Sequence, residues 1–327
     1  MIRNYLTIIF RNLWKNKLYT FINVISLAVG IAAVVWGIQD YRYSFSYDQF
    51  HKDGKNIFRV LTKTAGNDNR KGYCPELLAA SAKNDFPSVT QAVRWDSRGL
   101  NVKAPQNDPF ETAAHFTDAS FFEMFNFPLI RGTNQIQDKS TVLLSERAAK
   151  KFFGGADPIG KILLLYSDEP FKRPLTVTGI LKDPPANSSI LFDLITNTEN
   201  QLKPDGSEIK NDEWEWLSDA VFLKLKNPGD AALLGKELGR YVPLQQSARK
   251  DIKIVSFSLQ PLAEVSDGFN IENDALSGRP TDAAAFGPIV LAILIMLSAC
   301  LNFANTSVAQ SNRRLKEMGV RKVMGSS

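Results

Sequence analysis

LYTFINVISLAVGIAAVVWGI at residues 18–38 and AAAFGPIVLAILIMLSACLNF at residues 283–303 are two 21-residue runs without a single charged side chain. At about 1.5 Å of rise per residue each makes a helix of about 32 Å, enough to cross a hydrocarbon core of about 30 Å. One charge at the centre of such a helix would cost about 3 kcal/mol on insertion scales, so both runs are expected to insert stably. Two crossings return both termini to the same side.

Which side follows from the basic residues. Arg3, Arg11, Lys15 and Lys17 precede the first run with no acid among them, and Arg313, Arg314, Lys316, Arg321 and Lys322 follow the second against the lone Glu317. Both termini are therefore expected in the cytoplasm. These flanks hold 9 of the 39 basic and 1 of the 34 acidic residues, so the remainder is slightly acidic. The overall charge of +5 reflects topology and gives no reason to expect a nucleic-acid partner.

A cleaved signal peptide is the competing reading of the first run, but signal h-regions span about 7–15 residues and this run is longer. The segment before it also reads as structure. Ile2, Tyr5, Leu6, Ile9 and Leu13 fall at helical spacing opposite Arg3, Asn4, Thr7, Arg11 and Lys15, the pattern of an amphipathic helix lying in the membrane interface. The expected layout is a cytoplasmic amphipathic helix over 1–17, a membrane helix over 18–39, an extracytoplasmic domain over 40–282, a second membrane helix over 283–305 and a cytoplasmic segment over 306–327.

The central region is too long for a loop and long enough for one sizeable domain or two small ones. Residues 57–62, 141–145, 175–180 and 220–225 read as half-buried strands, and 75–84, 120–125, 146–153 and 231–241 as helices. Strands and helices mix without a regular βαβ repeat, which predicts an α+β fold. Loop residues cluster at 65–72, 201–212 and 267–281. Cys74 lies in this domain and Cys300 in the second run, so they cannot pair with each other. Cys74 either pairs between chains or is an ordinary buried thiol.

Catalytic chemistry is not evident. Residues 155–161 (GADPIGK) match a phosphate-binding loop until Ile162 replaces the hydroxyl that would hold Mg²⁺, and a helical pattern precedes them where a strand is required. They read as a helix-ending turn. His51 and His115 stand apart from any second ligand at metal-site spacing. Ser145 suits a helix cap, and Asp183 with Pro184 and Pro185 suits a stiff turn. Trp214 and Trp216 alternate as on one face of a strand. No catalytic, cofactor-binding or metal-ligating residue is assigned.

After the second run come Asn302 to Ser311 (NFANTSVAQS) and then residues 313–325 (RRLKEMGVRKVMG). This resembles the membrane-exit segment of the macrolide-exporter (MacB) and FtsX-like family of ABC-transporter permeases, where a segment ending E-x-G-V-R-K-x-x-G meets the ATPase subunit. Residues 11–17 (RNLWKNK) resemble the family's N-terminal segment. Residues 46–51 (SYDQFH) are similar to the start of the outer domain in large Bacteroidetes-type members. Residues 141–146 (TVLLSE), 152–154, 157–161, 177–183 (VTGILKD) and 187–189 (NSS) are similar to the family's inserted subdomain, placed at about 138–212.

The resemblance implies a permease subunit that relays the motion of a cytoplasmic ABC ATPase to a periplasmic domain, for export of a substrate such as an antimicrobial compound, peptide or lipoprotein. It further implies an inner-membrane location, a permease homodimer or a pseudo-dimer with a second half, and in some members a periplasmic membrane-fusion protein. Such permeases have at least four membrane helices, so this chain is expected to be the N-terminal portion of a longer protein.

Glu317, Gly319, Val320, Arg321, Lys322 and Gly325 are the expected ATPase-coupling element, with a simple stop-transfer role for the basic residues as the competing reading. Ser26 with Gly30 and Ala33 with Gly37 give the small-residue spacing that permits close helix contact, although such residues are common in any membrane helix. Asn302 and Asn305 either bond across helices or mark the cytoplasmic boundary. Two other functions stay open: a membrane sensor with an outer ligand-binding domain, and an FtsX-like activator of cell-wall hydrolases. A sensor should continue as an unbroken signalling helix, whereas Gly319 and Gly325 are expected to interrupt this one.

Overall fold

A computed structural model describes residues 7, 11, 14, 17–105, 108–167, 172–201, 214–265 and 271–324. The expected amphipathic helix lies almost wholly outside these residues, as do Gly325 and most of the loop at 201–212. The chain divides into two compact units, Met1–Phe45 with Pro280–Ser327, and Ser46–Arg279.

In chain order, helix α1 (Lys17–Ser44) is followed by β1 (Ile57–Thr64), β2 (Arg70–Lys71), β3 (Cys74–Pro75), α2 (Leu77–Asp85), β4 (Val89–Lys103), β5 (Phe110–Thr117), α3 (Phe121–Met124), β6 (Leu129–Gly132), β7 (Thr141–Ser145), α4 (Glu146–Phe153), β8 (Ile162–Tyr166) and β9 (Lys172–Leu181). Then come β10 (Leu194–Asn197), β11 (Leu217–Ser218), β12 (Ala220–Leu225), α5 (Ala231–Glu237), α6 (Val242–Ala248), β13 (Ile254–Pro261), β14 (Ile271–Glu272) and α7 (Asp282–Val323).

The Ser46–Arg279 unit is α+β and turns on one long strand. The first half of β4 pairs with β12, and β12 with β1. The second half of β4 pairs with β5 on one side and β8 on the other. From β5 the pairing runs through β10, β7 and β9 to β8 and so returns to β4, closing a six-strand ring. Closure removes the open edges that an isolated sheet would expose to other chains.

Three apolar clusters fill the unit, and the strands partition them. Val142 and Leu144 of β7 face the ring interior with Leu100, Val102, Phe116, Leu163 and Leu165, while Leu143 faces a central cluster. Likewise Phe222 and Ile57 look into that central cluster, and Val221, Leu223, Phe58 and Val60 look the other way. Strands 57–62, 141–145 and 220–225 are thus buried on both faces rather than one. Their near-continuous apolar runs are what a strand between two cores requires.

Phe121 is the hub of the central cluster, stacked on Trp95 (5.2 Å between ring centroids) and in contact with Phe122 and Phe125 at 5.0 Å each. Five aromatic rings from the short stretch 121–127 and Trp95 meet in a few turns of chain, in the offset and edge-on geometries that aromatic quadrupoles favour. Ser145 caps α4 by accepting from the Ala148 amide (3.1 Å), and residues 155–161 form the turn between α4 and β8. Gly132 and Gly179 sit opposite each other where β6 meets β9. A Cβ on either would strike a backbone carbonyl, of Thr178 and Thr133 respectively, so glycine is required at both places.

Two expectations are corrected. Trp214 lies in a turn, ahead of the two-residue β11, because tertiary packing holds it there stacked on Tyr241 at 5.1 Å. The helix expected from residue 75 begins at Leu77, since Pro75 pairs with Leu217 in a short ladder. Cys74 is fully buried, which fits an ordinary thiol and excludes pairing between chains in this fold.

Candidate functional site

α1 and α7 are both long and apolar enough to cross a membrane, with the candidate spans Lys17–Ser44 and Asp282–Asn312. They run antiparallel, since Asn23 meets Asn302, Gly30 meets Met296 and Gly37 meets Pro288 and Ile289. The buried and half-buried α1 residues include Asn23, Ser26, Gly30, Ala33, Gly37, Asp40 and Ser44, a seven-residue repeat of small or polar side chains, flanked by the half-buried Thr20, Val34 and Tyr41. On α7 the buried residues Ala285, Ala292 and Ala299 recur with the same period. A strict seven-residue seam keeps one face of each helix toward the other.

Close approach is the purpose of this composition. A Cβ at Gly37 would stand 3.2 Å from the Pro288 carbonyl oxygen, and one at Gly30 3.3 Å from the Met296 sulfur. Ser26 and Ala33 occupy the same seam half-buried. At its far end the Asn302 amide donates to Ser26 Oγ (3.2 Å) and to Asn23 Oδ1 (3.4 Å), so Asn302 bonds across the helices while Asn305 is exposed. The two small-x-x-x-small pairs read in the sequence, Ser26 with Gly30 and Ala33 with Gly37, touched only part of this repeat. Extending it by sevens to Asn23, Asp40 and Ser44 would have revealed the whole face.

Beyond the apolar run α7 continues unbroken to Val323, so Gly319 lies inside the helix and does not interrupt it. Glycine costs only about 1 kcal/mol relative to alanine in a helix interior, too little to stop a helix already propagated over many turns. Val320 and Lys322 are exposed, and Leu315 and Met318 are more than half exposed on the same segment. Of Glu317 and Arg321 the backbone is helical, and their side chains lie outside what is described.

Among its described residues the outer unit contributes buried charge. Arg94, Asp96 and Arg98 alternate on the face of β4 opposite Trp95, a pattern present in the sequence as RWDSR at 94–98. Arg94 is held between Glu76 (2.6 Å) and Asp118 (2.5 Å), beside a cavity of about 270 Å³ that Lys83 and Ser120 also line. Asp96 accepts from the Ser218 hydroxyl (3.1 Å) and the Asp219 amide (3.0 Å), and burial with the nearby Asp219 carboxylate pushes its pKa up to about 8. These bonds pin β4 to the chain entering β12.

Both histidines are held neutral by burial, which pulls each down to about 4. His51 accepts the Asn126 amide through Nδ1 (3.0 Å), and His115 stacks on Trp95 at 4.7 Å. They serve packing, and among the described residues no group of three or more His, Cys, Asp or Glu is placed to hold a metal ion.

A family model of the MacB-like periplasmic core domain matches residues 20–241. A search of curated proteins finds no match. Among solved structures, the chain is similar to a domain of a protein described as a permease from Porphyromonas gingivalis, with 21% identity, 65% of this chain and 92% of that one covered, and a TM-score of 0.48. It is also similar to the periplasmic region of MacB from Actinobacillus actinomycetemcomitans, with 16% identity, 64% and 90% covered and a TM-score of 0.45. The extracellular domain of the noncanonic ABC-type transporter YknZ from Gram-positive bacteria gives 14% identity, 63% and 100% covered and a TM-score of 0.47.

Proposed function

The chain belongs to the family of the MacB-like periplasmic core domain, and from that premise we propose that it is a permease subunit that relays the work of a cytoplasmic ABC ATPase to its outer domain. The observation that carries the relay is α7, a single 42-residue helix that joins the packed seam to Glu317, Gly319, Val320, Arg321 and Lys322 without a break. Such a helix is about 63 Å long, and its interior proline, Pro288, lies near its start, so the stretch from Ile289 to Val323 transmits displacement along its axis without a proline hinge. The exposed Leu315, Met318 and Val320 offer the ATPase an apolar surface among basic residues.

In this reading the chain sits in the inner membrane with both described helix ends Lys17 and Val323 on the cytoplasmic side, as the basic flanks favour. It works as a homodimer or with a second permease half, and a periplasmic membrane-fusion protein is the natural partner of an outer domain that exports an antimicrobial compound, peptide or lipoprotein. Hydrolysis of ATP belongs to the partner subunit.

Replacing Glu317 and Gly319 together (Glu317→Ala with Gly319→Leu) is expected to uncouple ATP turnover from export while membrane insertion persists. Survival of both ATPase co-purification and export in that variant sinks the coupling assignment. The unbroken helix also suits a membrane sensor. That reading predicts a ligand response in the absence of any co-purifying ATPase, which the same preparation measures.

A further inference from the structure

Two sequence motifs that the permease reading leaves unused, residues 46–51 and 187–189, meet in the Ser46–Arg279 unit. The segment that follows α1 reaches the turn at 187–189 first. The Asp48 amide donates to the Asn187 carbonyl (3.0 Å), and Asn187 Nδ2 donates back to the Ser46 carbonyl (3.0 Å) and to Ser46 Oγ (2.9 Å). The Ser189 amide donates to Asp48 Oδ1 (2.9 Å), with the Ser188 hydroxyl at 3.4 Å from the same oxygen. Asp48, Ser188 and Ser189 are all buried.

The segment that leads into α7 reaches the same turn from the other direction. The Ser277 amide donates to the Ser189 carbonyl (2.9 Å), and Leu276 is buried in the central cluster that also holds Ile190, the residue next to Ser189. Just upstream, Asp274 is paired with the fully buried Arg59 at 2.5 Å. The turn itself is stiff. Pro184 and Pro185 precede it, and the Ser188 amide donates to the Pro185 carbonyl (3.0 Å).

We infer that Asn187, Ser188 and Ser189 form a clamp that fastens the segment leaving α1 and the segment entering α7 to one point of the outer domain. A force arriving along either connection is then loaded on this turn and the core beneath it, and the two connections move as one piece. Because it concerns how motion enters the outer domain, the inference deepens the permease reading and rests on it for its role, though not for its geometry. The backbone of Asp48 supports it. Its φ of 55° is one that non-glycine residues rarely adopt, and Asp and Asn adopt most readily, so the surrounding bonds hold it in place.

The test is hydrogen exchange on the full chain in lipid nanodiscs. Asn187→Ala removes the donations to Ser46, and the amides of Asp48, Ser189 and Ser277 are expected to exchange about tenfold faster while those of β4 and β12 keep their protection. Asp48→Asn tolerates the same φ and keeps the acceptor, so it should match the parent, whereas Asp48→Ala should reproduce the loss. Faster exchange at Asp48 with Ser277 unchanged, or no change at either, overturns the clamp. Should Asn187→Ala also lose protection in β4, the Asp48→Asn and Asp48→Ala pair decides in its place.

With a partner ATPase present, Asn187→Ala is expected to lower export per ATP several-fold, whereas Asp48→Asn should keep the parent's level and Asp48→Ala should fall with Asn187→Ala. Export unchanged in Asn187→Ala overturns the clamp's role even where exchange rises. Failure of any ATPase to co-purify with the parent chain counts against the permease reading alone, since the exchange result is read on this chain by itself.

Discussion

The α1 and α7 hairpin and the Ser46–Arg279 unit are held together by opposite means. In the outer unit large side chains fill the interior, with Trp95, Phe121, Phe125 and Phe222 almost fully buried. In the hairpin the buried positions are Gly30, Gly37, Ser44, Ala285, Ala292 and Ala299, and the large residues Phe21, Ile25, Val35, Trp36, Ile293 and Leu297 point outward. Water explains the first arrangement, because burying each large apolar side chain contributes about 1.5–3 kcal/mol. Lipid explains the second. Hydrocarbon offers no gain for hiding a leucine from it, so helices associate through close backbone contact and cross-helix hydrogen bonds.

The comparison can be broken most forcefully in the outer core. Phe222→Ala removes a ring that contacts Phe125 at 5.1 Å inside the central cluster, and is expected to cost about 3–5 kcal/mol in denaturant unfolding of the outer unit, with the hairpin unaffected. A loss below about 1 kcal/mol would mean that the central cluster does not hold the domain together.

A second prediction probes a buried carboxylate on the other face of β4. The Asp96 pKa is raised to about 8 in the fold, above its value in the unfolded chain, so its contribution is fully present below about pH 4 and is lost as pH rises toward 8. Stability should fall across that window by up to about 1.4 kcal/mol per pH unit, and Asp96→Asn should flatten the slope. A slope unchanged in the variant assigns the dependence to another group. The smallest effect belongs to the seam. Asn302→Ala is expected to weaken helix pairing by only about 0.6 kcal/mol, measured by steric trapping of the hairpin, and an effect above about 2 kcal/mol would show that polar bonds rather than close packing hold it.

Much of the fold was legible because local patterns and tertiary demands agree. The apolar runs, the strands at 141–145 and 220–225, the α4 cap at Ser145 and the turn at 155–161 all follow from periodicity and capping chemistry. Where the reading failed, a distant partner decided. Nothing near Trp214 announces Tyr241, and the apolar run at 142–144 signals burial on both faces without telling which distant residues lie behind Leu143. Gly319 was given too much weight as a breaker, since its cost is small beside the cooperativity of a long helix. Of the residues expected to act, Gly30 and Gly37 come together with α7, and Val320 and Lys322 lie exposed at its end.

The sequence by itself determined that two helices can span a membrane around an α+β domain, because hydropathy, charge asymmetry and period act over neighbouring residues and need no fold to be read. Only the tertiary structure decided that β4 pairs with β12 over its first half and with β5 and β8 over its second, that six strands close a ring, and that residues 46–48 and 277 meet at one turn. Those pairings join residues far apart in the chain, and their energy depends on which surfaces the completed fold brings face to face.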